Sequence, residues 1–353
     1  MAEHDTADRI IYFRADGNNV IATGHIMRCL SIAWQMKKLG AEVVFVIADG
    51  SPRQLIIDRG FKADILGTAW DDLDGEINAM CTYINDHDVR TLVIDSYYVT
   101  ERYLNSLSEY TNIVYIDDLY EFAYPVGTLI NYGAFTDINR YDELYKGMTA
   151  PNYLLGADYI PLRDEFSGIT HDINTEISKV LITTGGTDRL NVAGKLLERI
   201  MTDGQHLSME YHVIVGCFNN NKDMLKSLSE KADGKIILHE NVSNMSDYMK
   251  ECDVAISASG STLYELCACG TPTVCFEIAP NQEGAKRWEN EGYMLYSGNA
   301  AKNLDSCINS CIEKLMWYEA HYEARCEMSS RMQKLVDGRG AFRLAEHILK
   351  MES

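Results

Sequence analysis

The amino-acid sequence predicts an α/β fold made of two doubly wound, Rossmann-like domains facing one another across a cleft. Three observations carry this expectation. Short apolar runs alternate with helical periodicity from residue 10 to residue 131, the pattern of βαβ units on a parallel sheet. A second block of the same kind starts at Lys179. Between them, from residue 136 to residue 171, the pattern turns irregular and carries Pro151, Pro161 and the acidic pair Asp164-Glu165. A chain of 353 residues is long for a single core, so its size agrees with two domains. We place the first domain at residues 1–160, an inter-domain passage at 161–178 and the second domain at 179–340.

In chain order, residues 10–13 read as a strand, 25–39 as a helix and 41–48 as a strand. Helical spacing follows at 54–59 and 77–86, a strand at 91–95, a helix at 101–109, and strands at 112–116 and 128–131. The second block reads strand 179–183, helix 191–201, strand 210–215, helix 224–232 and strand 235–238. It continues with helix 245–251, strand 254–257, helix 263–269 and strand 273–276. Residues 302–335 read as helical, Asp337-Gly338-Arg339-Gly340 as a break, and 341–350 as a last helix.

Composition excludes several classes. The net charge of −20 leaves no basic field for nucleic acid and disfavours anionic membranes. No run approaches the ~20 apolar residues of a spanning helix. Residues 1–9 are polar and do not read as a secretory signal, so a cytoplasmic protein is expected. The ten cysteines are scattered, several among apolar neighbours, with no CxxC pair. Cys267-x-Cys269 and Cys307-x3-Cys311 lack nearby histidines, so buried reduced thiols are expected and a metal is not.

The most informative segment runs from Arg14 to Arg28, a loop of small polar residues between a strand and a helix, with His25 where the helix begins. Loops at the carboxyl ends of parallel strands are where open α/β sheets bind ligands, and a histidine there can move a proton near neutral pH. The helix dipole disfavours the imidazolium, which suits a base. Asp95-Ser96-Tyr97-Tyr98 and Asp117-Asp118 end strands on the same edge. A carboxylate beside a histidine makes chemical sense there, although the aspartate pair also suits turn chemistry.

In the second block, Gly185-Gly186-Thr187-Asp188 lies between a strand and a helix. It suits either backbone binding of an anion or a plain turn with Asp188 as the N-cap. Ser259-Gly260-Ser261-Thr262 is a second such junction. It suits a diphosphate, or ordinary capping by Ser261 or Thr262, and Glu265 one turn on could accept from ribose hydroxyls. Asn281 and Gln282 follow the next strand and offer donors and acceptors for sugar hydroxyls or acetamido groups, or form an ordinary polar loop.

These pieces together resemble one family. They are the Arg14-Ala15-Asp16 loop running to Gly24-His25-Ile26-Met27-Arg28, Asp95-Ser96-Tyr97, Gly185-Gly186-Thr187-Asp188 with Asn191, Ser257-Ala258-Ser259 with Glu265, Asn281-Gln282, and Asp337-Gly338-Arg339-Gly340-Ala341. The chain resembles the UDP-2,4-diacetamido-2,4,6-trideoxy-β-L-altropyranose hydrolases of pseudaminic acid biosynthesis, a family similar in fold to GT-B glycosyltransferases. The likeness runs in order through nearly the whole chain after residue 9. In one place it departs: the family's loop usually carries a second glycine where this chain has Ala22, which matters if that position needs a positive φ.

The resemblance implies inverting cleavage of the anomeric C–O bond, releasing UDP and free sugar, with His25 as the base that takes the proton of the attacking water. It implies that Arg14, Asp16, Gly24, Arg28, Tyr97, Asn281 and Gln282 bind the sugar. Gly185, Gly186, Thr187, Ser259, Gly260, Ser261 and Thr262 would hold the diphosphate, replacing a metal, with Glu265 on the ribose and backbone near Val242 on the uracil. It implies no cofactor, and as partner only the UDP-linked diacetamido sugar: no nucleic acid, membrane or obligate protein partner. The last helix, 341–353, would pack back on the first domain. Two alternatives stay open. A GT-B transferase would need an acceptor site, often with a basic or apolar membrane-facing patch, and the acidic balance weighs against one. A non-catalytic nucleotide-sugar module would not need His25 at its loop.

Overall fold

A computed structural model of the chain describes residues 9–203, 208–282 and 284–351. They divide into two compact units, Met1–Asp164 with Gly338–Ser353, and Glu165–Asp337.

The first unit runs β1 (Ile10–Ala15), α1 (Gly24–Lys38), β2 (Glu42–Ile47), α2 (Arg53–Asp58), β3 (Lys62–Ile65), α3 (Leu73–Asp86) and β4 (Thr91–Asp95). It goes on with α4 (Glu101–Ser108), β5 (Asn112–Ile116), β6 (Thr128–Asn131), α5 (Ile138–Leu144) and β7 (Asn152–Leu155). Its seven strands are all parallel, in the order β3-β2-β1-β4-β5-β6-β7. Alternate residues of β1 serve opposite faces: Ile11 and Phe13 join α1 on one side, and Tyr12 joins α3 and α4 on the other. Central strands buried on both faces read as continuous apolar runs, which is why β1, β2, β4 and β5 are legible in the sequence.

The second unit runs β8 (Lys179–Thr183), α6 (Val192–Asp203), β9 (Glu210–Val215), α7 (Lys222–Lys231), β10 (Ile236–Glu240), α8 (Met245–Glu251) and β11 (Val254–Ala258). Then come α9 (Thr262–Cys269), β12 (Thr273–Glu277), α10 (Lys286–Asn290), β13 (Leu295–Asn299), α11 (Leu304–Ala320) and α12 (Tyr322–Leu335). Its six strands are parallel, in the order β10-β9-β8-β11-β12-β13. The last helix, α13 (Gly340–Met351), belongs to the first unit, where Leu344, Ala345 and Ile348 enter the core that α1 covers.

In both sheets the strand order reverses direction at one place, between β1 and β4 and between β8 and β11. Ligands of open α/β sheets bind outside the carboxyl ends of the strands at such a switch point. The loops that leave these strands carry His25, Asp95 and Tyr97 in the first unit, and Gly185–Thr187 and Ser259–Thr262 in the second.

The structure differs from the sequence reading at several elements. β3, β7 and β13 were not expected; each is an edge strand, short and partly exposed, so it lacks a continuous apolar run. Residues 302–335 form two helices that part at His321. Within the passage placed at 161–178, residues 174–178 bond to the second unit. Asp253 accepts from the Asn174 side chain at 2.7 Å and the Ser178 amide at 2.7 Å, and Arg325 donates to the carbonyls of Asn174 and Thr175 at 2.9 and 2.7 Å. Phe166 and Ile177 are buried in the second unit. Among the described residues, no helix is long and apolar enough to cross a membrane.

Candidate active site

The β1–α1 loop is shaped by one asparagine. Asn18 Oδ1 accepts from the amides of Val20 and Ile21 at 2.8 and 3.1 Å, and the Asn18 amide donates to the Ala22 carbonyl at 3.1 Å. The tight turn forces Ala22 to φ 57°, the left-handed region that costs a residue with a Cβ about 1–2 kcal/mol. Ala22→Gly is therefore expected to stabilise the protein by about 0.5–1 kcal/mol once glycine's greater chain entropy is counted. A thermal unfolding midpoint at or below that of the parent would contradict this. Gly24 opens α1 in the exposed part of the loop, and a Cβ there would meet nothing within 4 Å.

His25 lies in the first turn of α1 and is 7% exposed. Its Nδ1 is 2.6 Å from Asp95 Oδ1 at the end of β4. Arg28 Nη2 also lies 3.1 Å from Nδ1. The carboxylate can only accept and the guanidinium can only donate, so the two neighbours ask for opposite tautomers; the shorter Asp95 contact favours the proton on Nδ1 and the lone pair on Nε2. Asp95 is fully buried, and burial by itself would raise its pKa. The bidentate Arg28 guanidinium, 2.5 Å from each oxygen, and then His25 outweigh it and hold the carboxyl well below the usual carboxylate range. Arg28 also reaches Asp118 Oδ2 at 2.8 Å and the Tyr132 hydroxyl. Its guanidinium thus holds Asp95 and reaches Asp118. The Tyr97 ring meets the His25 ring edge to face at 4.5 Å, and its hydroxyl donates to Asp118 at 3.2 Å. Burial and then Asp118 push that hydroxyl up to about 12.

Arg14 and Asp16, like Arg28, bond to other residues of the first unit. Arg14 is wholly buried; its Nε and Nη2 each donate to Glu76 at 2.8 Å, and its Nη1 to Asp16. Asp16, 5% exposed, uses its other oxygen to accept from the Ala48 amide at 2.8 Å. Every polar edge of the Arg14 guanidinium thus faces a protein carboxylate. Glu76 also accepts from Tyr103 at 2.7 Å and Thr68 at 2.8 Å. The cluster ties together the loops after β1, β2 and β3. Asp117 accepts from the hydroxyls of Tyr124 and Tyr141 at 2.8 and 2.6 Å.

In the second unit, Asp188 takes the capping role that the sequence left open. Its oxygens accept from the amides of Val192 and Ala193 at 2.8 and 3.1 Å, and burial pushes its carboxyl up. The start of α6 is thereby neutralised from within, so only the turn Gly185-Gly186-Thr187 is left to meet an anion. Gly185 has φ 81°, and both glycines are exposed. The start of α9 differs. Ser261 makes no side-chain cap, and Gly260, Ser261 and Thr262 stand at least partly exposed. The Ser259 hydroxyl is buried, with the Cys275 thiol beside it. An uncapped helix start is the more anion-ready of the two.

Gln282 Oε1 accepts from the Ile278 amide at 2.8 Å. Its Nε2, the donor end, lies 3.9 Å from where a Cβ on Gly260 would stand. Glu265 sits in the first turn of α9, and Val242 lines a surface hollow with Glu240, Asn241, Ser243 and Tyr248. The Asn281 side chain lies outside the described residues. Among those described, no three His, Cys, Asp or Glu side chains are grouped so as to hold a metal ion.

Glu76 and Tyr132 escaped the sequence reading. Glu76 did leave a signal: it interrupts the buried face Leu73, Met80, Ile84 of α3, where a charge needs a partner. Tyr132 left none.

Two parallel α/β units with these switch-point loops are the GT-B glycosyltransferase fold. MurG of Acinetobacter baumannii superposes with a TM-score of 0.68 at 14% identity, over 98% of this chain and 100% of that one. UDP-GlcNAc 2-epimerase from Neisseria meningitidis, solved bound to UDP-GlcNAc, gives 0.62 at 12% identity over 98% and 99%. The family model described as glycosyl transferases group 1 matches residues 187–314. In sequence, the chain is 27% identical over 262 residues to the pseudaminic acid cytidylyltransferase and UDP-2,4-diacetamido-2,4,6-trideoxy-beta-L-altropyranose hydrolase of Helicobacter pylori. That match covers 73% of this chain and 42% of the relative. The chain spans about half the length of the curated relatives it matches.

Proposed function

We propose that the protein hydrolyses a UDP-linked 2,4-diacetamido-2,4,6-trideoxy sugar, releasing UDP and the free sugar. The observation that carries this reading is the His25–Asp95 pair at 2.6 Å on the ligand edge of the first sheet. Asp95 keeps the proton on Nδ1, so Nε2 accepts a proton from water as that water attacks the anomeric carbon. The C–O bond to the diphosphate breaks with its electron pair leaving on UDP, and the configuration inverts. The proton on His25 then passes to solvent. Tyr97 and Gln282 bind the sugar. The amides of the Ser259–Thr262 turn and of Gly185–Thr187 receive the charge that develops on the diphosphate. Glu265 takes the ribose, and the backbone at Val242 the uracil. The likeness to the Helicobacter pylori protein supports the choice of sugar.

The test is incubation with the UDP-linked altrose derivative and no acceptor. Release of UDP and free sugar is expected, lost in His25→Ala while UDP still binds. Release only when an acceptor is added would favour a transferase, the reading to which the glycosyl transferases match lends weight. Binding without turnover would leave a nucleotide-sugar module.

The Gly185–Thr187 turn has its own test. A Cβ on Gly216 would stand 2.3 Å from the Gly186 carbonyl oxygen and 2.6 Å from that of Gly185. Gly216→Ala must push the turn aside, and a weakening of UDP affinity by about tenfold is expected. An unchanged dissociation constant by calorimetry would remove this turn from the nucleotide site.

A further inference from the structure

Trp70, Tyr97 and Tyr98 stand outside both cores of the first unit. Trp70 lies in the loop between β3 and α3, and the tyrosines in the loop between β4 and α4, so all three sit at the sheet edge that carries His25. The Trp70 and Tyr98 rings meet edge to face at 5.3 Å and 86°. Tyr97 and Tyr98 are 47% and 39% exposed. Packing against the core does not hold these rings; anchored loops do. Thr68 donates to buried Glu76 at 2.8 Å, and Thr100 donates to Asp74 at 2.5 Å, which ties the β4–α4 loop to the start of α3. Asp72 caps α3 through the Gly75 amide at 2.9 Å. The aromatic surface is therefore preformed on both sides.

Two exposed tyrosine rings and the half-buried Trp70 ring, clustered at a ligand edge, mark a binding surface. Among polar ligands a pyranose suits them, because its axial C–H bonds give one apolar face while its hydroxyls and amides form a polar rim. Such a face lies against Trp or Tyr rings, and the rim stays free for hydrogen bonds. We infer that Trp70 and Tyr98, whose planes stand 86° apart, form an aromatic corner that serves as a platform for a pyranose, one ring under its apolar face and the other against its edge. Resting on the nucleotide-sugar reading above, that ring is the sugar of the substrate, and Tyr97 orients it toward His25. The platform distinguishes a sugar with few hydroxyls from a fully hydroxylated hexose, because each hydroxyl on the stacked face would lose water without gaining a partner.

The experiment labels the four tryptophans with 5-fluorotryptophan and assigns the Trp70 resonance from Trp70→Phe. The UDP-linked diacetamido sugar is expected to move that resonance, and UDP alone to leave it in place. Trp70→Ala is expected to raise KM for the UDP-sugar about tenfold, with little change in kcat and with UDP affinity retained. Trp70→Phe should keep most of the affinity, and Tyr98→Leu should mimic Trp70→Ala. A UDP-sugar that binds by calorimetry without moving the Trp70 resonance would overturn the platform, as would an unchanged KM in both truncations. If no UDP-sugar binds the parent protein, the nucleotide-sugar reading fails. Titration with the free methyl glycoside then decides the platform by itself: a shift at Trp70 sustains it, and none removes it.

Discussion

Asp95→Asn is expected to slow UDP release about 10²–10⁴-fold with the affinity for UDP retained. The carboxylate now accepts from His25 Nδ1 at 2.6 Å. An amide at that place can turn its NH2 toward the ring, which favours the tautomer with its lone pair on Nδ1 and its proton on Nε2, the wrong nitrogen for a base. His25→Ala should cost at least as much, and the double variant little more than His25→Ala, since both changes remove the same function. A rate within about threefold of the parent in Asp95→Asn would detach Asp95 from the chemistry. Acid should not imitate the substitution in the working range. Arg28 and His25 outweigh burial and depress the Asp95 pKa in the folded state. What the carboxylate contributes to stability is therefore complete above its unfolded pKa of about 4. It is lost only as pH falls below that value toward the depressed one.

Arg14→Met is expected to destabilise the first unit by about 3–5 kcal/mol. The guanidinium is completely buried, and burial would lower its pKa. The Glu76 hydrogen bond and the charges of Glu76 and Asp16 outweigh this and raise it. Removing it strands two carboxylates, one fully buried and the other 5% exposed. Calorimetric unfolding should show an earlier transition for the first unit, with the second unit's transition as internal reference. Arg14→Met combined with Glu76→Leu should recover part of the loss, because one stranded charge goes with it. A loss below about 1 kcal/mol for Arg14→Met would mean that water reaches the cluster. Because the cluster joins loops after three strands, the same variant should also loosen the loop bearing Trp70.

Much of the site was legible in residue order. A polar loop after an apolar strand, with histidine at the following helix, marked His25, and a strand ending in a carboxylate marked Asp95. Two small-residue turns before helices marked the candidate anion sites. Their residue types could not say which helix start was already capped. Asp188 and Ser261 are both good N-cap types; the conformation of each turn, which residue type does not give, brings Asp188 onto amides four and five residues on and leaves Ser261 without such a bond. Arg14 and Asp16 look like ligand-binding residues in a loop. Their partner, Glu76, lies 62 residues from Arg14 on another helix, so nothing near them in the chain reveals the pairing. The edge strands were missed for a similar reason: one bonded neighbour and partial exposure place few demands on composition.

The chain by itself determined where strands and helices alternate, and therefore which loops share the carboxyl edges of two parallel sheets. Hydrophobic periodicity is local, and the direction of parallel strands does the rest. Only the tertiary structure decided which charged groups on those edges face each other and which remain for a ligand. A charge is committed by the partner within about 3 Å, and for Arg14, His25 and Arg28 that partner lies 62 to 90 residues away in the chain.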